Sequence, residues 1–127
     1  MENFEIKGAS DTFFTPTVSF NSSTGVCLVG GESYLENTVE FYSKLYDWMK
    51  EFFKTGNPIE FDFKLTYYNT SSNKAILQLM NLLKDYENEG KKVSATWHYN
   101  PADEEMREEA EDFALDSGLD LKIVGDL

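Results

Sequence analysis

The residues best placed to do chemistry are three consecutive hydroxyls, Thr70, Ser71 and Ser72, in the stretch YYNTSSNKAI from Tyr67 to Ile76. An alternating aromatic run ends just before them and an apolar pattern of helical spacing begins just after, which places them where a strand gives way to a helix. The free N–H groups of a helix start favour a side-chain oxygen or a phosphate. One hydroxyl suffices as a cap. A second use of such a site is to accept a phosphoryl group, which adds about −1.5 to −2 charge and three acceptor oxygens. Lys74 follows Thr70 by four residues. In the first turn a cation opposes the helix dipole, a small unfavourable term unless an anion is sometimes near.

Other reactive residue types are sparse. His98 is the one histidine and falls on the wet side of an alternating segment, where an exposed structural role is its ordinary use, with no oriented nucleophile beside it in the pattern. Cys27 is the one cysteine; it alternates with Val26 and Leu28 and reads as a core residue. Together these two leave no zinc-type ligand set and no internal disulfide. Gly30 and Gly31 follow a strand, but neither phosphate-cradling glycine motif is present. No catalytic residue, metal or cofactor is therefore expected, and the carboxylates sit mostly on predicted polar helix faces.

The 127 residues suit one domain, 1–127, carrying a formal charge of −12. That charge argues against nucleic acid and anionic lipid as partners, since both need a cationic surface. Neither a signal core nor a membrane-length apolar run occurs, so no membrane insertion and a cytoplasmic location are expected. From Pro101 to Leu127 ten acidic residues face only Arg107 and Lys122, so two thirds of the net charge is carried there. This is a solvated helix face or an acidic docking surface for a basic partner.

The elements that must position the hydroxyls are legible from periodicity. In IEFDFKLTYYN, Ile59, Phe61, Phe63, Leu65 and Tyr67 fall on one face and Glu60, Asp62, Lys64, Thr66 and Tyr68 on the other. KVSATWHY repeats the pattern with Val93, Ala95, Trp97 and Tyr99. Shorter strands are predicted at Phe4 to Lys7, Thr17 to Phe20, Val26 to Gly30 and Leu121 to Val124. A helix from Ser72 to about Tyr86 aligns Ile76, Leu79, Met80, Leu83 and Tyr86, and another after Pro101 aligns Met106, Ala110, Phe113 and Ala114 before Gly118. The first helix, from about Leu35 to Lys54, has two neighbouring apolar stripes: Leu35, Val39, Tyr42, Tyr46, Met49 and Phe53, and Phe41, Leu45, Trp48 and Phe52. Together they cover about half the circumference, more than docking on a core requires. Either the helix is wedged deeply between sheet and neighbour, or Phe41, Trp48 and Phe52 reach past the core as an aromatic surface for a partner protein or a second copy of the chain. Because the strands alternate, the expectation is an α/β domain with a mixed sheet of five to six strands and helices mainly on one face.

At these residues the chain resembles the SiaC family of bacterial regulatory phosphoproteins, whose fold is similar to the STAS domain of anti-sigma factor antagonists. The matching pieces are TPTVSF, GESYLEN from Gly31 to Asn37, LTYYNTSSNKAI, and VSATWHYN from Val93 to Asn100, in order over nearly the whole chain. Leu35 departs from the pattern, standing where family members often carry proline. The resemblance implies a switch protein without catalysis of its own. A serine/threonine kinase of the histidine-kinase-like ATPase fold would phosphorylate Thr70, with Ser71 and Ser72 the lesser candidates, and a PP2C-type phosphatase would reverse this. The unmodified form would bind and activate an effector, a diguanylate cyclase. The partner surface is then expected around Asn69, Thr70, Ser71 and Lys74, with Ser33, Tyr34, Glu36 and Asn37 beside it, and one of Ser71 and Ser72 as the helix cap.

Overall fold

The computed structural model describes residues 1–10 and 13–127. Among the described residues eight strands and three helices follow one another as β1 (Phe4–Ile6), β2 (Ala9–Ser10), β3 (Phe14–Thr15), β4 (Thr17–Phe20), β5 (Val26–Ser33), α1 (Thr38–Phe53), β6 (Ile59–Tyr68), α2 (Thr70–Asn88), β7 (Val93–His98), α3 (Glu104–Ser117) and β8 (Leu121–Val124). Six strands form one mixed sheet in the order β1-β4-β5-β6-β7-β8, while β2 and β3 make a separate small hairpin. The pairs β1/β4 and β4/β5 are antiparallel, and β5 through β8 run parallel.

The alternation in the sequence becomes two rows of inward side chains laid across the sheet. Phe20, Cys27, Phe61, Ala95 and Leu121 are register partners from strand to strand, as are Val18, Val29, Phe63, Trp97 and Ile123. Nine of these ten are buried, and the helices cover them. Trp48 of α1 lies 5.0 Å from Phe20, and Phe113 of α3 stacks on Trp97 at 5.4 Å. Between these two, α2 contacts both other helices and buries Ile76, Leu79, Met80, Leu83 and Tyr86, the predicted stripe. Glu60, Lys64, Ser94 and Lys122 point away from the helices and are exposed. The mixed sheet with its helices on one face thus follows the expectation, and the one-sided cover is why a parallel sheet alternates here.

Three local expectations need correction. The first helix begins at Thr38 rather than Leu35, because the Asn37 side chain accepts from Glu40 N and the chain before it is extended. Its two predicted stripes merge into one arc centred on Leu45 and Met49, with Val39 at the outer margin and 80% exposed. Trp48 stacks on Phe52 and donates its indole N–H to Glu2 O; at 8% and 1% exposure both belong to the core, and Phe41 is half-buried. The deep wedge describes this helix, and these rings do not form an open aromatic surface.

The third correction lies at the end of β6. The β5/β6 register runs Gly31 to Leu65 and then Glu32 to Tyr67, so Thr66 is an extra residue and the alternation inverts. Gly31 takes φ +88 at this bulge, a backbone region open to glycine. Tyr67 therefore turns to solvent, while Tyr68 packs on Trp97 and Phe113, the reverse of the simple alternation.

Candidate functional site

The bulge sets up the junction between β6 and α2. Tyr68 pairs with Ser33, and the next residue, Asn69, donates its backbone N–H to Ser33 O at 3.1 Å. Asn69 is the cap of α2: its backbone is extended and its side-chain oxygen accepts from Ser72 N at 3.0 Å. Neither Ser71 nor Ser72 holds the predicted capping role, since both already lie inside the helix, which begins at Thr70. Lys74 accordingly sits beyond the first turn, where its conflict with the helix dipole is weaker than the later start implied.

The three hydroxyls meet different fates. Ser72 is fully buried; it donates to Ser33 O at 3.0 Å and accepts from Ser33 Oγ at 2.8 Å. Tyr42 OH of α1 lies 2.8 Å from Ser33 Oγ, and with Ser33 donating onward to Ser72, Tyr42 is the donor of that pair. Burial pushes the Tyr42 phenol up to about 12, against a smaller lowering by Ser33, so it keeps the proton this chain needs. Ser71 is exposed but engaged, its Oγ 2.8 Å from Thr38 Oγ1 at the start of α1 and 3.3 Å from Asn69 Oδ1. Thr70 is exposed, and its hydroxyl makes no hydrogen bond among the described residues.

The segment SYLEN is built against this junction, as expected for residues 31–37. Ser33 is interior to the hydroxyl network. Tyr34 exchanges backbone hydrogen bonds with Phe14 at 2.8 and 2.9 Å, which leaves its ring projecting outward. Glu36 is exposed, and Asn37 caps α1 while its amide donates to Glu40 Oε2 at 3.0 Å. Of the predicted surface, Asn69, Thr70, Ser71, Lys74, Tyr34, Glu36 and Asn37 come together at one end of the sheet with the starts of α1 and α2, and Ser33 supports them from within. Sequence reasoning missed Thr38, Tyr42, Phe13 and Tyr67; the last could have been found only by anticipating the bulge.

Away from this end, His98 is not the isolated exposed histidine anticipated. On the open face of the sheet its Nε2 lies 2.8 Å from Asp62 Oδ1 and its Nδ1 2.9 Å from Asp126 Oδ1. Burial opposes its charged form, but the hydrogen bonds and charges of Asp62 and Asp126 outweigh that and raise its pKa. Cys27 is buried, its thiol pushed up to about 12 by burial and secondarily by the Asp62 charge. No group of three or more metal-ligating side chains occurs among the described residues, and no helix there is long and apolar enough to cross a membrane.

Comparison with known proteins places this arrangement. The profile of the SiaC family of regulatory phosphoproteins matches residues 6–125. An uncharacterized protein of Pseudomonas aeruginosa (strain UCBPP-PA14) is 34% identical over 124 residues, covering 97% of this chain and 96% of that protein. The crystal structure of apo-SiaC from Pseudomonas aeruginosa superposes with a TM-score of 0.89 at 32% identity, covering 98% of this chain and 99% of the other. A chain of the complex between the diguanylate cyclase SiaD and its activator SiaC, from the same organism, matches with a TM-score of 0.84 at 32% identity over 94% of this chain and 98% of its own. With the family profile spanning nearly its whole length and the same mixed sheet under three helices, the chain belongs to the SiaC family of regulatory phosphoproteins.

Proposed function

We propose that this protein is a phosphorylation-controlled activator of a diguanylate cyclase, with Thr70 as the residue that carries the phosphate. The observation that supports Thr70 most is the division of labour at the junction. Ser72 is buried and doubly bonded and Ser71 bridges two helices, whereas the Thr70 hydroxyl is exposed and uncommitted. A kinase can reach Thr70 without disturbing the fold. Phosphate there meets the unpaired N–H groups of the α2 start, which favour it electrostatically.

In the unmodified state the surface of Thr70, Ser71, Asn69, Tyr34, Glu36 and Asn37 docks on the cyclase; the support for such a partner is the complex of the diguanylate cyclase SiaD with its activator SiaC in Pseudomonas aeruginosa. A phosphoryl group at its centre has to be stripped of water on docking, and several kcal/mol per buried ion is enough to abolish binding. A serine/threonine kinase of the histidine-kinase-like ATPase fold adds the group and a PP2C-type phosphatase removes it. The test is to incubate the protein with its cognate kinase and ATP, map the modification by mass spectrometry, and assay cyclase stimulation before and after. Phosphate at Thr70 with loss of stimulation is expected. Modification confined to residues outside 70–72, or undiminished stimulation by the fully modified protein, overturns the assignment.

A further inference from the structure

Four of the large apolar side chains that this molecule leaves in solvent gather at the Thr70 end: Phe13, Tyr34, Val39 and Tyr67. Three of them form a row. Phe13 stacks on Tyr34 with centroids 6.2 Å apart, and Tyr34 meets Tyr67 at 6.3 Å. Each ring is between 37% and 48% exposed. Aromatic residues held by their neighbours yet open to solvent are the composition of interface hot spots, because they bury much area at small entropic cost. The bulge at Thr66 is what delivers Tyr67 to this row, since regular alternation would have turned it into the core.

Backbone and charge narrow the kind of partner. Tyr67 lies on the end of β6 that pairs with β5, and Tyr34 uses both its backbone N–H and its C=O on Phe14. The three rings thus stand out from backbone already engaged along the β5 side, and they offer a partner side-chain contacts. The row has two steps of just over 6 Å, close to two turns of an α-helix at about 5.4 Å each, which suits a helix presenting side chains at i, i+4 and i+7. Glu32 pairs with Tyr67 in register, and Glu36 and Glu40 follow Tyr34; all three are exposed. An apolar centre with a carboxylate rim fits arginine and lysine flanks, and arginine also stacks on tyrosine faces.

We propose that Phe13, Tyr34 and Tyr67 are the anchor row on which a basic amphipathic helix of the partner protein docks. This deepens the reading of Thr70 as a switch and rests on it for the link to regulation. The row accounts for how a single phosphate controls docking: Thr70 follows Tyr67 by three residues, so the group falls beside the apolar centre, where the cost of its desolvation outweighs its attraction for a basic helix.

Two probes separate the two readings. A fluorescein-labelled amphipathic peptide of about 18 residues, with leucines at i, i+4 and i+7 and arginines flanking them, is titrated by anisotropy against the wild type and against Tyr34→Ala, Tyr67→Ala and, as a control on α3, Leu115→Ala, each checked for a native circular dichroism spectrum. Tyr34→Ala and Tyr67→Ala are expected to weaken binding at least tenfold (~1.4 kcal/mol) without any change in charge, and Leu115→Ala to leave it unchanged. Equal affinities for all four proteins, or no binding by the wild type, overturn the anchor row. The cognate diguanylate cyclase is then assayed with the same proteins. Stimulation by the wild type and equally by Tyr67→Ala overturns the anchor row while the switch reading stands. Tyrosine-dependent peptide binding with a cyclase indifferent to the wild type supports the row and overturns the switch reading.

Discussion

Replacing Asn69 by alanine separates the cap from the proposed acceptor, Thr70. Asn69 Oδ1 accepts from Ser72 N at 3.0 Å and lies 3.3 Å from Ser71 Oγ. Removing it leaves the Ser72 N–H without its partner, and because Ser72 is fully buried, water is a poor replacement. The cost therefore falls in the upper part of the range for a lost cap, about 1 to 2 kcal/mol. For a chain of this length that lowers Tm by roughly 3 to 8 °C. Thr70→Ala removes an exposed hydroxyl with no hydrogen bond among the described residues and installs a better helix former, so its effect stays within about 0.5 kcal/mol. Denaturant unfolding followed by circular dichroism reads both, with Asn69→Asp included because an aspartate still caps and should recover most of the loss. Phosphorylation should be abolished in Thr70→Ala and retained in the stable fraction of Asn69→Ala. If Thr70→Ala loses as much stability as Asn69→Ala, or Asn69→Ala loses none, the assignment of roles at this junction is wrong.

Four further outcomes come from other parts of the fold. Cys27, buried and with its thiol raised to about 12, should resist a thiol reagent in the native protein at pH 8 and label only at the global unfolding rate; rapid labelling would place it elsewhere. His98 between Asp62 and Asp126 has a raised pKa, so its contribution is complete below the unfolded value of about 6.5 and is lost as pH rises through the higher folded value. The Tm advantage of the wild type over His98→Gln should accordingly be present near pH 6 and shrink towards pH 9, and a pH-independent difference would contradict the paired geometry. Gly25 has φ +75, and a Cβ there would run into the Pro58 carbonyl and approach the Phe52 ring, so Gly25→Ala should cost about 2 kcal/mol or more. Gly31→Ala, with φ +88 and open space around it, should cost only the backbone term of about 1 to 2 kcal/mol.

The sheet was legible where a side chain's environment depended on its own neighbours in sequence. Residues Ile59 to Leu65 and Val93 to Trp97 alternate because one face carries the helices and the other meets water, and that contrast is written at period two. It failed where the environment depended on another strand. Nothing within YY distinguishes Tyr67 from Tyr68; the inversion comes from Gly31 opposite, which lets Thr66 bulge. The hairpin of β2 and β3 leaves no mark in the sequence because two-residue strands carry no periodicity. Leu35 falls in line with Tyr42 and Met49 on the helical wheel, yet Asn37 two residues later supplies the cap that starts α1.

At the site, three adjacent hydroxyls are chemically alike, and their roles are separated by helical geometry. Ser72 precedes Ile76 by four residues, Leu79 by seven and Leu83 by eleven, so it extends the buried stripe of α2 by one turn. At about 100° per residue, Thr70 then points some 200° away from that line, towards solvent, while Ser71 falls between and meets α1. This separation could be read from the chain alone once the helix starts at Thr70; starting it at Ser72 hid it, because a residue outside the helix has no place on the wheel. What periodicity could not supply is the partner of Ser72, since Ser33 and Tyr42 reach it from β5 and α1. The proposed acceptor and its buried support are thus adjacent in sequence but fixed by different levels of structure, the first by helix phase and the second by tertiary packing, and for that reason Thr70 is the position in this run that can take a new charge while the network beneath it stays whole.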